Sequence, residues 1–141
     1  YLPHRIELIE SSNNINWYND SKSTNCASTK AALECIDEKI ILILGGSMKD
    51  MNYESLSSLI NQKVKLVIFI GENKEYIKSQ LKITTKTIDA KSIESAVEIS
   101  LSHSLANDNV LLSPASPSFD MFKNYEERGA AFISAVQNIV K

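Results

Sequence analysis

The chain has 141 residues, 43% of them hydrophobic and 23% charged, with a formal net charge of −2. That is enough for one domain, burying roughly 68–70% of its unfolded surface. The charge balance gives no electrostatic ground for nucleic acid or an anionic membrane, and apolar runs such as Ile40–Leu44 and Leu66–Ile70 are far too short to span a bilayer.

No basic-then-apolar signal peptide opens the chain. Cys26 and Cys35 lie nine positions apart on one predicted helix. The rise between them, about 13 Å, is too long for a disulfide. Free thiols in a reducing compartment are expected, and the spacing is not that of a metal site. The sequence opens on Tyr1-Leu2-Pro3-His4-Arg5 without an initiator Met, and is expected to be a piece of a longer cytoplasmic protein.

In chain order, Arg5–Glu10 and Ile15–Tyr18 predict two strands joined at Asn13-Asn14, residues suited to a turn with positive φ. They form an antiparallel hairpin at or near the sheet edge. The polar stretch 19–25 leads into a helix over Asn25–Ile36, with Ser23 or Thr24 as its N-cap and Ala27, Ala31, Ala32, Cys35 and Ile36 on one face. Ile40–Leu44 is a continuous branched apolar run, a central strand buried on both faces. It ends at Gly45-Gly46-Ser47-Met48-Lys49-Asp50, where two glycines allow a sharp turn and close approach of a ligand. Neither a Walker A loop nor a Gly-x-Gly-x-x-Gly fingerprint is present.

A helix over Tyr53–Ile60, a strand over Val64–Ile70, a helix over 73–81 and a short exposed strand over Thr85–Ile88 follow. A helix over 92–105 is capped by Ser92, with Ile93, Ala96, Val97 and Leu101 inward, and the last strand is Asn109–Leu112. A Ser/Pro-rich loop runs to Gly129, and a final helix over 130–140 places Ala131, Phe132, Ala135, Val136, Ile139 and Val140 inward. Strands alternating with helices predict an α/β fold: a three-layer, Rossmann-like sandwich with a mostly parallel sheet of about six strands.

Three polar loops, 19–25, 45–50 and 113–125, thus follow three apolar strands. In a parallel sheet they lie at the same edge, where ligands bind. They offer Lys22 and Lys49 as cations, Thr24 and Ser118 as hydroxyls, and helix N-termini as dipole donors. The set suits a small ligand with two carboxylates. Chemistry alone does not choose which, and a non-catalytic α/β acid-binding module has the same requirements.

Ser113-Pro114-Ala115-Ser116-x-Ser118-Phe119-Asp120-x-Phe122-x-Asn124-Tyr125-Glu126-x-Arg128-Gly129 resembles the C-terminal signature of the Mur ligases. Asn19-Asp20-Ser21-Lys22-Ser23-Thr24-Asn25 is similar to the family's Asn-Asp-Ser-Lys-Ala-Thr-Asn motif, and Gly45-Gly46-x-x-Lys49 to its Gly-Gly loop with a downstream lysine. Leu2-Pro3-His4-Arg5 looks like the segment where the central domain hands over to the C-terminal one. The Asp-Asn-Pro-Arg motif of the diaminopimelate-adding branch is absent, which favours the branch that adds D-glutamate to UDP-N-acetylmuramoyl-L-alanine. Ser47-Met48 departs from a frequent Asp-Gly, and Tyr125 from a frequent Phe.

The resemblance implies a C-terminal, amino-acid-binding domain of a monomeric ATP- and magnesium-dependent amide ligase of peptidoglycan precursor synthesis. The UDP- and ATP-binding domains would lie outside this chain, and the fragment alone would be inactive. ATP would phosphorylate the acceptor carboxylate, and the D-glutamate amine would attack the acyl phosphate. Thr24 and Lys49 match positions that hold one carboxylate of D-glutamate; Ser118 and the backbone around Tyr125 match those that hold the other. Phe119 matches an apolar neighbour of the amino acid, and Lys22 a basic residue near the reacting centre. Asp20 matches a contact to the ATP ribose, and His4 and Arg5 match residues that reach the nucleotide. His4 is also a candidate, by residue type alone, for the base that deprotonates the amine. A folylpolyglutamate synthetase-like ligase is the rival within the superfamily.

Overall fold

In a computed structural model, residues 4–47, 52–118 and 121–139 are described. Six strands form one sheet in the order β1-β2-β6-β3-β4-β5. They are β1 Glu7–Ser12, β2 Ile15–Asn19, β3 Ile40–Leu44, β4 Val64–Phe69, β5 Lys86–Asp89 and β6 Asn109–Leu112. Only β1 is antiparallel, paired to β2 with Ser12 opposite Ile15; the other pairings are parallel. Asn13 and Asn14 both have positive φ, 56° and 62°, as a two-residue hairpin turn requires.

Alternation along the central strands sends side chains to two cores. Ile41, Ile43, Val110 and Leu112 pack with Trp17 against α4 (Ile93–His103) and α5 (Tyr125–Ile139). Ile40, Leu42, Leu44 and Leu111 pack on the other face against α1 (Cys26–Cys35), α2 (Ser57–Lys63) and α3 (Lys74–Gln80). The α/β three-layer architecture expected from the alternation is what forms.

Four local expectations are corrected. The cap of α1 is Asn25, whose Oδ1 accepts the Ser28 N–H at 2.9 Å; the Ser23 hydroxyl goes instead to Asp20. The inward stripe of α1 is Thr29, Ala32, Leu33 and Ile36, while Ala27, Ala31 and Cys35 are exposed. The expected helix at 53–60 divides into a 3₁₀ turn, Tyr53–Leu56, followed by α2. The last helix begins at Tyr125, five residues before the expected start at Ala130, because Asn124 Oδ1 caps the Glu127 N–H at 2.8 Å. Both cysteines are free, and burial pushes the Cys26 thiol up to about 11. No described helix is long and apolar enough to cross a membrane.

Candidate functional site

Strands β2, β6 and β3 are neighbours and parallel, so the loops after Asn19, Leu112 and Leu44 converge at one sheet edge. Backbone hydrogen bonds join them. The Ala115 N–H donates to Ser23 O at 3.0 Å, Gly45 N–H to Pro114 O at 3.0 Å and Ser47 N–H to Pro117 O at 3.0 Å. A Cβ at Gly46 would lie 2.1 Å from Pro117 O, so only glycine permits this closeness.

Asp20 is 1% exposed. Its Oδ1 accepts the Ile6 N–H at 3.0 Å, and its Oδ2 accepts the Ser23 and Ser113 hydroxyls at 2.5 and 2.7 Å. Where a ribose contact is expected, its carboxylate ties the first loop to the last. Burial raises its pKa against the lowering pull of these donors and of Arg5. Ser118 is 3% exposed, and among the described residues its Oγ has no hydrogen-bond partner. An orphaned buried hydroxyl calls for an acceptor or donor from elsewhere. Lys22 holds its ammonium 5.7 Å above the Tyr125 ring, bringing a cation to the first turn of α5. Thr24 and Tyr125 are half-buried, and Arg5 is exposed. His4 stands edge-on to Tyr125 with ring centres 6.1 Å apart. Lys49 and Phe119, the other two expected site residues, lie outside the described residues.

The Mur ligase glutamate ligase domain family matches residues 4–116, which takes in the converging loops of β2 and β3 and the start of the third. The chain belongs to the Mur ligase family. It is 44% identical over 136 residues to the UDP-N-acetylmuramoylalanine–D-glutamate ligase of Geobacter sp. (strain M21), covering 96% of this chain and 30% of that protein. It is 45% identical over 140 residues to the enzyme of that name from Geotalea uraniireducens, covering 98% and 30%. The chain thus spans about 30% of the length of these curated relatives.

The Mur ligase fold is seen in two solved structures of low identity. A MurF ligase from Thermotoga maritima in complex with ADP superposes with a TM-score of 0.66 at 14% identity, covering 99% of this chain and 32% of that one. A bifunctional folylpolyglutamate synthase/dihydrofolate synthase from Yersinia pestis CO92 gives 0.68 at 11% identity, covering 95% and 31%.

Two residues of this Mur ligase domain that organise the loops carry no role in the sequence reading. Arg128, 1% exposed, donates to Ser21 Oγ at 2.9 Å, Ser21 O at 2.7 Å and Ser116 O at 2.8 Å. Asn73 accepts the Gly46 N–H at 2.8 Å and donates to Ser116 Oγ at 3.1 Å, so the loop after β4 braces those after β3 and β6. Arg128 lies two residues before the expected start of the last helix, so its inward position could not be read from the helical period. Asn73 offered no signal, since its partners Gly46, Tyr53 and Ser116 come from three separate segments.

Proposed function

We propose that this chain is the amino-acid-binding domain of an ATP-dependent ligase that adds D-glutamate to UDP-N-acetylmuramoyl-L-alanine. The observation that carries the reading is the Ser118 hydroxyl, buried and unpartnered among the described residues, in the loop that leads to the first turn of α5. A ligand carboxylate there would receive its hydrogen bond. Glu126 and Glu127 already occupy that first turn and weaken the pull of the helix terminus on another anion. Hydroxyl and lysine donors must therefore supply most of the recognition. The names of the relatives support D-glutamate as the amino acid.

In this reading Ser118 and the Tyr125 backbone hold one carboxylate, Thr24 and Lys49 the other, and Phe119 lies against the carbon chain. Lys22 offers positive charge near the reacting carboxyl. Holding the amine in line for attack is this domain's main contribution, since positioning replaces a bimolecular encounter. His4 and exposed Arg5 fit a nucleotide as donors at the edge of the same site. Bound ATP would supply the phosphoryl group that activates the acceptor carboxylate. Among the described residues no group of three His, Cys, Asp or Glu could hold a metal ion.

The test uses the full-length protein. Phosphate release is followed with UDP-N-acetylmuramoyl-L-alanine, ATP, magnesium and either D- or L-glutamate, for wild type and Lys49→Ala. Activity with D-glutamate alone, and a large rise in its KM in the variant, is the expected result. Equal use of L-glutamate, or an unaffected variant, would overturn the reading in favour of another amide ligase.

A further inference from the structure

We propose that Asn19 fixes the His4 ring as the neutral Nε2–H tautomer, so that His4 acts as a hydrogen-bond donor and not as the base that takes a proton from the incoming amine. The tautomer follows from the geometry alone; the role assigned to it rests on the ligase reading above.

The orientation of the Asn19 amide is determined by its neighbour. The Ser21 backbone N–H can only donate, and it meets Asn19 Oδ1 at 3.1 Å. The other end of the amide is therefore the NH₂ group. It lies 2.8 Å from His4 Nδ1 and 3.4 Å from Glu7 Oε1, so its two hydrogens have two acceptors. His4 Nδ1 must then present its lone pair, and the proton of a neutral ring resides on Nε2. A proton on Nδ1 would set N–H against N–H inside a site where Asn19 is fully buried.

Turning the ring over would set the Cδ2–H against the Asn19 NH₂ and leave that buried donor without its acceptor. A Cβ on Gly129 would lie 2.2 Å from His4 Nδ1 and 2.8 Å from Cε1, so the ring rests directly on the α5 backbone. Tyr125 stands edge-on to it. The backbone of His4 is held at both ends: its N–H donates to Glu7 Oε1 at 3.0 Å, and its carbonyl accepts the Lys22 N–H at 2.9 Å. Its φ of 63° is a conformation that few non-glycine residues adopt. Asn19 is thus a positioning residue for His4. Among the described residues Nε2–H has no partner, and the chemistry it suits is an oxygen acceptor, such as a phosphate or hydroxyl oxygen of the nucleotide.

The experiment labels the full-length protein with ring-¹⁵N histidine and records long-range ¹H–¹⁵N correlations, His4 being assigned by the peak lost in His4→Gln. The expected pattern is a protonated Nε2 and a bare Nδ1. In Asn19→Asp, which presents an acceptor in place of the NH₂, the proton should move to Nδ1. An Nδ1–H ring in the wild type, or no change in Asn19→Asp, would overturn the proposal. A kinetic arm tests the role. The glutamine amide can donate from near the Nε2 position but cannot serve as a base. His4→Gln should therefore stay within about fivefold of wild type in kcat, and His4→Ala should lose about tenfold or more in kcat/KM for ATP, the scale of one hydrogen bond. Equal values for the two variants, at either level, would overturn the donor role. The expected tautomer in a protein that does not use D-glutamate would refute the ligase reading alone.

Discussion

The Arg128 guanidinium and Ser21, 107 positions apart in the chain, share two hydrogen bonds: Nε–H to Ser21 Oγ at 2.9 Å and Nη2–H to Ser21 O at 2.7 Å. The Ser21 hydroxyl in turn donates a hydrogen bond to Tyr125 O at 2.6 Å. A buried arginine therefore sets the distance between the loop that carries Lys22 and Thr24 and the helix that begins at Tyr125. Arg128→Ala leaves the carbonyls of Ser21 and Ser116 short of these donors, at about 1–3 kcal/mol per buried group. A loss of about 3 kcal/mol or more in urea unfolding is expected. Arg128→Lys keeps the charge but not the fork. It should lose less stability while still raising the KM for the amino acid more than that for ATP. Equal effects on both KM values would assign Arg128 to the fold alone.

Ser118→Ala separates stability from binding. The hydroxyl makes no hydrogen bond among the described residues, so its removal costs none. Unfolding free energy should stay within about 0.5 kcal/mol of wild type, or rise. The KM for D-glutamate should increase about tenfold or more, the worth of one hydrogen bond to a charged group. A destabilised variant with an unchanged KM would make Ser118 a structural residue.

Two glycine-to-alanine changes should fail in different ways. At Gly45, with φ +125°, the new Cβ would lie 2.0 Å from the Ile70 carbonyl oxygen. Backbone cannot step aside, and Gly45→Ala should cost about 4 kcal/mol or more. At Gly129 the clash is with the His4 side chain. Gly129→Ala should displace His4 from Asn19, lowering Tm as a buried donor loses its acceptor, and weaken ATP binding by calorimetry.

Asp20 gives a pH dependence of definite sign. Burial is the largest influence and raises its pKa in the folded state above the ordinary 3.8. The folded chain then binds the proton more tightly than the unfolded one. This group's contribution to stability is most favourable in acid and falls as pH rises from about 3.8 through the raised value. In Asp20→Asn the amide can still accept from Ile6 and donate to the two serine hydroxyls. Urea unfolding of wild type and variant from pH 4 to 7 should show the wild type losing stability relative to the variant as pH rises. The opposite slope would mean that the hydrogen bonds outweigh desolvation.

The strands were legible because branched apolar runs such as Ile40–Leu44 have no helical alternative at that length. The convergence of three loops was legible for a related reason, since parallel strands place their C-terminal ends together. What stayed hidden depended on contacts across the chain. The start of α5 was obscured by Glu126, Glu127 and Arg128, which break the apolar period although Asn124 caps the helix. The inward face of Asp20 was invisible because one of its two hydroxyl partners, Ser113, is 93 positions away in the chain. Asn19 looked like an ordinary motif residue until Ser21 fixed which way its amide points.

The place of β6 in the sheet has a consequence for how the protein comes into being. The strand formed last in sequence lies between β2 and β3, which do not pair with each other. Without Asn109–Leu112 the β1-β2 hairpin and the β3-β4-β5 block share no strand pairing. Such long-range closure is slow compared with local pairing. Its arrival also brings Ser113, Ser116 and Ser118 between the other two loops. Completion of the sheet and assembly of the binding edge are therefore a single step, and no half-folded intermediate can present a finished site.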